Sequence, residues 1–141
     1  MDKVITEHYS SRQKIQLIDD KIVYFILKEH RFVHLPGEGI RKGFYEMVYE
    51  GPTKVYVRRE KNLQEKITGG ELIRTFDEKT LYYIFKQDTY YLVKNKRAIL
   101  NVLHDRKPEL NQFISKNHIQ FKSNREKNFA TLAEYYDSIN N

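Results

Sequence analysis

Apolar residues before Lys94 alternate with polar ones in short tyrosine-rich runs broken by glycines, whereas those after it recur every three or four positions. Alternation marks strands, and spacing of three to four marks helices. The break predicts an α+β chain: an antiparallel β-meander over residues 1–94, followed by three C-terminal α-helices over residues 95–141. The helical tail packs on or beside the sheet, and residues 1–141 form a single domain.

Residues 15–17 and 22–27 are β-prone and flank Asp19-Asp20-Lys21, a turn sequence. Residues 32–35 read as a third short strand, closed by Pro36-Gly37, and residues 37–43 as a flexible connection. Residues 44–50 form the next strand, and Gly51-Pro52-Thr53 turns the chain into a return strand at 54–59. There Val55 and Val57 share one face while Lys54, Tyr56 and Arg58 share the other, which predicts a half-buried hairpin with a solvated side. Residues 61–66 are charged and fit strand or loop; Gly69-Gly70 turns the chain into 71–76, and Asp77-Glu78 begins a connection. Residues 81–85 and 90–93 flank Lys86-Gln87-Asp88-Thr89, the clearest hairpin. Such short strands with tight connections predict a meander of about six to eight strands.

In the tail, Asn95 caps a first helix with the stripe Ile99, Val102 and Leu103. Pro108 suits the first turn of a second helix, where its missing N–H is unpaired anyway. Leu110, Phe113 and Ile114 form that helix's apolar face, and Asn117 ends it in a left-handed conformation. Ile119 and Phe121 lie in a linker that pins the chain to the sheet. Ser123 with Glu126 reads as a capping box opening a third helix, whose face is Phe129, Leu132, Ala133, Tyr136 and Ile139.

Composition narrows the function classes. Eight Phe and eleven Tyr supply core material for a chain of 141 residues that is 31% charged. The net charge of +6 is spread: residues 95–141 hold eight basic and five acidic side chains, and the remainder 17 and 14. A diffuse surplus favours solubility over a nucleic-acid patch. Cysteine is absent, which excludes disulfides, thiol catalysis and thiolate metal sites. No run approaches the roughly 18 apolar residues of a membrane helix, so no transmembrane segment is expected. The opening Met-Asp-Lys-Val-Ile-Thr-Glu-His has no apolar core and is not a signal peptide.

Candidate chemistry is sparse. Gly37, Gly39 and Gly43 are spaced GxGxxxG and lead into a strand, whereas phosphate binding needs a helix N-terminus. His30 and His34 lie on a strand, where four residues at about 3.3 Å each set them roughly 13 Å apart, too far for one ion. His8, His104 and His118 have no carboxylate cluster beside them, and the five serines lie outside any nucleophile elbow. The chain therefore reads as no enzyme, with no catalytic, cofactor-binding or metal residue to name, and no cofactor. A basic, tyrosine-rich strand face (Lys54, Tyr56, Arg58, Arg59 and Lys61), with Tyr82-Tyr83 and Tyr90-Tyr91 to stack bases, would suit single-stranded nucleic acid. In the simpler reading, one tyrosine of each pair enters the core and its neighbour covers the opposite face. A protein-docking surface needs no missing motif, because meander edges add partner strands and exposed tyrosines anchor interfaces.

Gly43-Phe44-Tyr45-Glu46-Met47-Val48-Tyr49-Glu50-Gly51, the basic return strand, and residues 82–93, which look like a "YYLLKNGTYYPVK" hairpin, together carry a resemblance. With residues 94–103, the lysine-containing 110–121 and the terminal Leu132-Ala133-Glu134-Tyr135-Tyr136-Asp137, the chain resembles a family of uncharacterised exported proteins common in Bacteroidetes. Members usually carry a signal peptide and a longer N-terminal β region, so the resemblance implies a trimmed mature form or a C-terminal part. It implies a periplasmic or cell-envelope location and transfers no catalytic residue. The resulting expectation is a non-enzymatic cell-envelope module for protein interaction or scaffolding, its partner another envelope protein. The alternative is a single-stranded nucleic-acid-binding domain, with nucleic acid the less favoured partner.

Overall fold

The computed structural model describes residues 3–8, 13–18 and 24–140, with side chains for 24–140. A six-stranded antiparallel sheet in meander order is followed by three helices, the expected α+β arrangement. The sheet comprises β3 (Tyr24–Leu27), β4 (His30–Leu35), β5 (Gly43–Tyr49), β6 (Lys54–Thr68), β7 (Glu71–Lys86) and β8 (Thr89–Val93). The preceding strands β1 (Lys3–His8) and β2 (Gln13–Ile18) pair with each other as a separate ribbon. The turn expected at Asp19-Asp20-Lys21 lies outside the described residues.

Three connections are two-residue turns in the left-handed region: Lys28-Glu29 (φ 50° and 68°), Gly69-Gly70 (61° and 82°) and Gln87-Asp88 (49° and 61°). That handedness matches the twist of the strands it joins. Two of the three adopt it without glycine. Between β5 and β6 the register slips, so that Met47 faces Tyr56 but Tyr49 faces Val55. The extra residue turns Tyr49 toward the helices instead of the opposite face.

Both sheet faces are covered, which corrects the expectation of a solvated side. On one face Val55, Ile84 and Val93 pack with the helical residues Ile99, Leu100, Leu103, Leu110, Ile114, Phe129, Leu132, Ala133 and Tyr136. On the other, Tyr45 and Tyr56 form a second core with Val33, Leu35 and Ile40. Ile40 belongs to the connection between β4 and β5, which folds over the sheet. Tyr45 Oη donates to Arg41 O at 2.6 Å, and Arg58 Nη1 donates to Lys42 O at 3.2 Å. The glycine-spaced segment is thus a structural cover: a Cβ at Gly43 (φ 148°) would meet the Arg58 guanidinium at 2.6 Å.

The helices are α1 (Lys96–Val102), α2 (Lys107–Lys116) and α3 (Arg125–Ile139), with a short 3-10 turn His104–Arg106 before α2. Asn95 caps α1 through Ala98 N, and Pro108 sits in the first turn of α2, both as expected. Two local readings are corrected. Asn117 has φ −96°, and the left-handed residue is His118 at 52°. The cap of α3 is Asn124, whose side chain accepts from Lys127 N, while Ser123 Oγ donates to Gln120 O. Ile119 and Phe121 pack against the helix-side core as predicted. Phe129, Leu132 and Tyr136 each contribute roughly 1.5–3 kcal/mol by leaving water.

Candidate functional site

The β6–β7 hairpin is far longer than the sheet that supports it. β6 pairs β7 from Lys54↔Phe85 through Thr68↔Glu71, whereas β5 pairs with β6 only as far as Val57, and β8 pairs with β7 only from Tyr82 onward. Beyond those points the hairpin is a two-stranded ribbon with both outer edges open among the described residues. All residues from 61 to 80 are exposed. At about 3.3 Å per residue this arm reaches roughly 30 Å from the sheet. Residues read as a strand-or-loop stretch at 61–66, and as a connection at Asp77-Glu78, are mid-strand: Lys61 faces Glu78 and Asn62 faces Asp77. Continuous pairing to the Gly69-Gly70 turn, not local charge, decides their conformation.

One face of the arm is organised in rows. Lys61 lies opposite Glu78, Leu63 opposite Phe76, Glu65 opposite Arg74, and Ile67 opposite Leu72. The charged rows close as ion pairs, Lys61–Glu78 at 3.5 Å and Glu65–Arg74 at 3.2 Å. The apolar rows stay open to water: Leu63 is 51% exposed, Phe76 68%, Ile67 76% and Leu72 52%. Four large apolar side chains on one narrow ribbon are an unusual exposure, the kind that marks an interaction surface. Residues 61–80 hold four basic and four acidic side chains, so the whole +6 surplus resides elsewhere in the chain.

At the arm's base, Arg59 crosses from β6 to Glu46 on β5 and Glu126 at the start of α3. Burial disfavours the Arg59 charge, but the Glu46 and Glu126 carboxylates outweigh it and hold its pKa above the ordinary value. Glu46, 4% exposed, also meets His30 Nδ1. A cleft of about 380 Å³ opens beside this chain of groups, lined by His30, Arg31, Glu46, Met47, Glu126 and Lys127. Its Glu46 and Glu126 carboxylates are both engaged by Arg59, so the arrangement fastens β5, β6 and α3 together. Among the described residues no three His, Asp or Glu side chains converge on a metal position.

The basic, aromatic strand face does not assemble. Tyr56 is 4% exposed in the second core. Arg58 lies over the Tyr45 ring on that side and pairs with Glu60 at 3.1 Å, while Arg59 and Lys61 lie on the helix side, each in an ion pair. Tyr82 packs edge-on against Phe129, and its neighbour Tyr83 packs against Tyr45, one on each face as the simpler reading had it. Tyr90 packs on Phe85 and Tyr56, and Tyr91 is 39% exposed. His34 packs against Phe44, and His118 sits in the α2–α3 connection beside a polar hollow with Asn124 and Lys127.

Lys86 is another enclosed charge. It donates to Val102 O at 3.0 Å and Asp105 at 3.2 Å, and Tyr136 Oη donates to the same carboxylate at 2.8 Å. Burial opposes ionisation of Asp105, yet the hydrogen bonds from Tyr136 and Lys86 prevail and hold its pKa below the ordinary value. Sheet, 3-10 turn and α3 are joined at this point. The geometry is that of a clasp, with every polar group satisfied internally.

No family model, no curated protein and no solved structure matches this chain. Among the described residues no helix is long and apolar enough to cross a membrane. The arm is the surface that the sequence reading did not single out, although its signal is present. Leu63, Glu65 and Ile67 alternate before Gly69-Gly70, and Leu72, Arg74 and Phe76 mirror them after it. A mirrored alternation about a two-glycine turn specifies a register and a face.

Proposed function

We propose that this protein is a non-enzymatic protein-docking module of the cell envelope whose contact surface is the β6–β7 arm. The observation that carries the reading is the exposure of every residue from 61 to 80 together with the Leu63, Ile67, Leu72 and Phe76 face. Exposed, flat strand edges are a liability that proteins usually blunt, so a long open ribbon with an apolar face fits a surface that is covered in use. The envelope placement rests on the resemblance of residues 43–51, 82–93 and the tail to exported Bacteroidetes proteins. Arm neutrality supports a protein partner over a polyanion, because nucleic-acid affinity is dominated by phosphate neutralisation.

The test is a photo-crosslinking amino acid at position 76 in a tagged copy expressed from its own locus, with position 94 as control. Adducts with protein at 76 and not at 94 are the expected result. Equal adducts at both positions, or none at either, overturn the arm as the contact surface. Recovery of the chain from the cytosol, or adducts with RNA-handling proteins, overturns the envelope placement.

A further inference from the structure

We infer that the arm's partner is a protein segment of mixed character: apolar where it crosses Leu63, Phe76, Ile67 and Leu72, and acidic where it reaches the helices. The inference rests on the docking reading above and names the partner's chemistry. It follows from where the helical layer ends. Odd-numbered residues of β6 share one face, so Leu63 and Ile67 continue the side on which Val55 meets the helices and Arg59 meets Glu126. The first turn of α3 lies over the root of the arm. Glu126 pairs with Arg59, Phe129 packs on Tyr82, and Phe121 of the preceding connection packs on Phe129. The apolar rows are therefore the floor of a step, and the helix ends are its wall. Along β6 the Leu63 row lies roughly 13 Å beyond Arg59 and the Ile67 row roughly 26 Å, at about 3.3 Å per residue.

The wall is cationic. Lys96 and Arg97 open α1, Lys116 closes α2, Lys122 lies in the connection, and Arg125 and Lys127 open α3. These helix ends lie together: β8 returns to the arm's root at Val93↔Tyr82 before α1 begins, and eight residues join α2 to α3. All six cations are exposed, and among the described residues none has an ion-pair partner. Of the eight arginines between residues 24 and 140, six close on a carboxylate; the two that do not, Arg97 and Arg125, are both here. Glu126 beside them is taken by Arg59, whereas Asp105, Glu109 and Asp137 lie at the far end with Lys86, Arg106 and Thr53. Charge that is diffuse along the sequence thus gathers at one end of the helical layer. A hollow of about 620 Å³, lined by Lys127, His118 and Gln120 among others, gives carboxylates room to approach.

Other occupants fit the step less well. Nucleic acid would satisfy the wall through its phosphates and leave the apolar floor in water. An anionic bilayer would meet both, but it would draw the Glu65–Arg74 pair, set between the two apolar rows, into hydrocarbon at a high cost. A protein segment can set a polar residue over that pair, apolar residues on either side, and acids against the wall.

The experiment adds a second tagged copy of the full chain, carrying the photo-crosslinking amino acid at position 122 in place of position 76. Both positions are expected to capture the same protein. Mass spectrometry is expected to place the two attachment points within about ten residues of each other, because roughly 13 Å spans about four extended or nine helical residues. The stretch joined to position 122 is expected to hold more Asp and Glu than Lys and Arg. Lys122→Glu/Arg125→Glu is expected to lower capture at position 76 roughly fivefold, whereas Lys107→Glu, an exposed cation at the far end, leaves it unchanged. Circular dichroism verifies that these variants fold. Replacing acids by Lys in the mapped stretch of the partner restores capture by the double variant. Three results overturn the inference while the docking reading stands: position 122 captures nothing or a different protein, its stretch has no acidic surplus, or capture at 76 ignores the double reversal. Purified chain that sediments with phosphatidylglycerol vesicles, and is released from them by the double reversal, also overturns it in favour of a lipid surface. Absence of adducts at position 76 removes the docking reading and the inference with it.

Discussion

Asp137 on α3 accepts hydrogen bonds from Tyr49 Oη at 2.8 Å and from the backbone N–H of Thr53 at 3.0 Å, joining residues 88 and 84 positions apart in the chain. Thr53 is 2% exposed and Asp137 6%, so the turn between β5 and β6 has its buried donor satisfied by the last helix. Asp137→Ala removes the acceptor for both groups and leaves a buried N–H unpaired, a loss of about 2–3 kcal/mol. Tyr49→Phe removes one donor and costs about 1 kcal/mol. A double-mutant cycle by urea denaturation is expected to show coupling, since the two side chains share one hydrogen bond. Additive losses would mean that they do not interact.

The same turn tolerates no side chain at Gly51. A Cβ there would approach Tyr49 Oη at 2.5 Å and Asp137 Oδ2 at 2.7 Å. Gly51→Ala must displace a buried hydrogen-bonded pair, with an expected cost of about 1–3 kcal/mol for overpacking. Thermal melting compared with Tyr49→Phe/Gly51→Ala resolves the cause: removing the hydroxyl recovers part of the loss when the clash is with Oη.

Alkaline pH destabilises this fold through its tyrosines. Burial, reinforced by Asp137, pushes Tyr49 up to about 12, and burial, reinforced by Tyr90, pushes Tyr56 up to about 12. An ordinary tyrosine ionises near 10. Below that value both the folded and unfolded chains hold the proton, and the shift contributes nothing. Between about 10 and about 12 the unfolded chain releases protons that the folded chain retains, so stability falls as pH rises and levels off above that window. Urea midpoints measured from pH 8 to 11.5 are expected to decline from about pH 10, and less steeply in Tyr56→Phe. A flat profile would show that neither phenol is held neutral by the fold.

The architecture was legible where pattern and pairing agree. Strict alternation at Val55 and Val57, and the stripe from Phe129 to Tyr136, need only one covered face to take their observed form. The second core was not legible, because Tyr56 and Arg58 read as a wet face until Ile40 arrives over them from a glycine-spaced connection, a long-range event without a local signature. The Lys28-Glu29 turn hid for a related reason: neither residue favours positive φ, and the flanking strand pairing imposes it. Arm residues 61–66 were ambiguous because charge suggests a loop, whereas fifteen consecutive cross-strand pairs hold them extended. His30, Glu46, Arg59 and Glu126 come from four elements, and no spacing announces their meeting.

Glu46 depends on Arg59 for its place in the sheet. With the carboxylate 4% exposed, Arg59→Leu leaves it facing only His30. Breaking a buried pair from one side costs about 3–5 kcal/mol, and the half-exposed guanidinium lowers the expectation to about 2. Pairing Arg59→Leu with Glu46→Leu removes the orphaned charge and is expected to recover most of the loss. A double variant no more stable than Arg59→Leu would show that packing, not charge, holds this corner.

Removing the arm separates what it does from what holds the protein together. Glu60 faces Lys79, and Thr68 faces Glu71 across the two-glycine turn. The two pairs are eight residues apart along β6, an even number, so they share one hydrogen-bonding type. Deleting residues 61–68 and 71–78 therefore brings Gly69-Gly70 down onto the Glu60/Lys79 pair with the same turn geometry, at φ 61° and 82°. The deletion touches neither core, since Val55, Tyr56, Val57 and Ile84 all lie below it. The shortened chain is expected to melt within about 1 kcal/mol of the native one, because what it loses is exposed surface. It is also expected to lose co-purification with the protein that position 76 of the native chain crosslinks. A collapse of stability would mean that the arm is part of the folding unit, and the exposed face of Leu63, Ile67, Leu72 and Phe76 would then need a structural explanation in place of a partner.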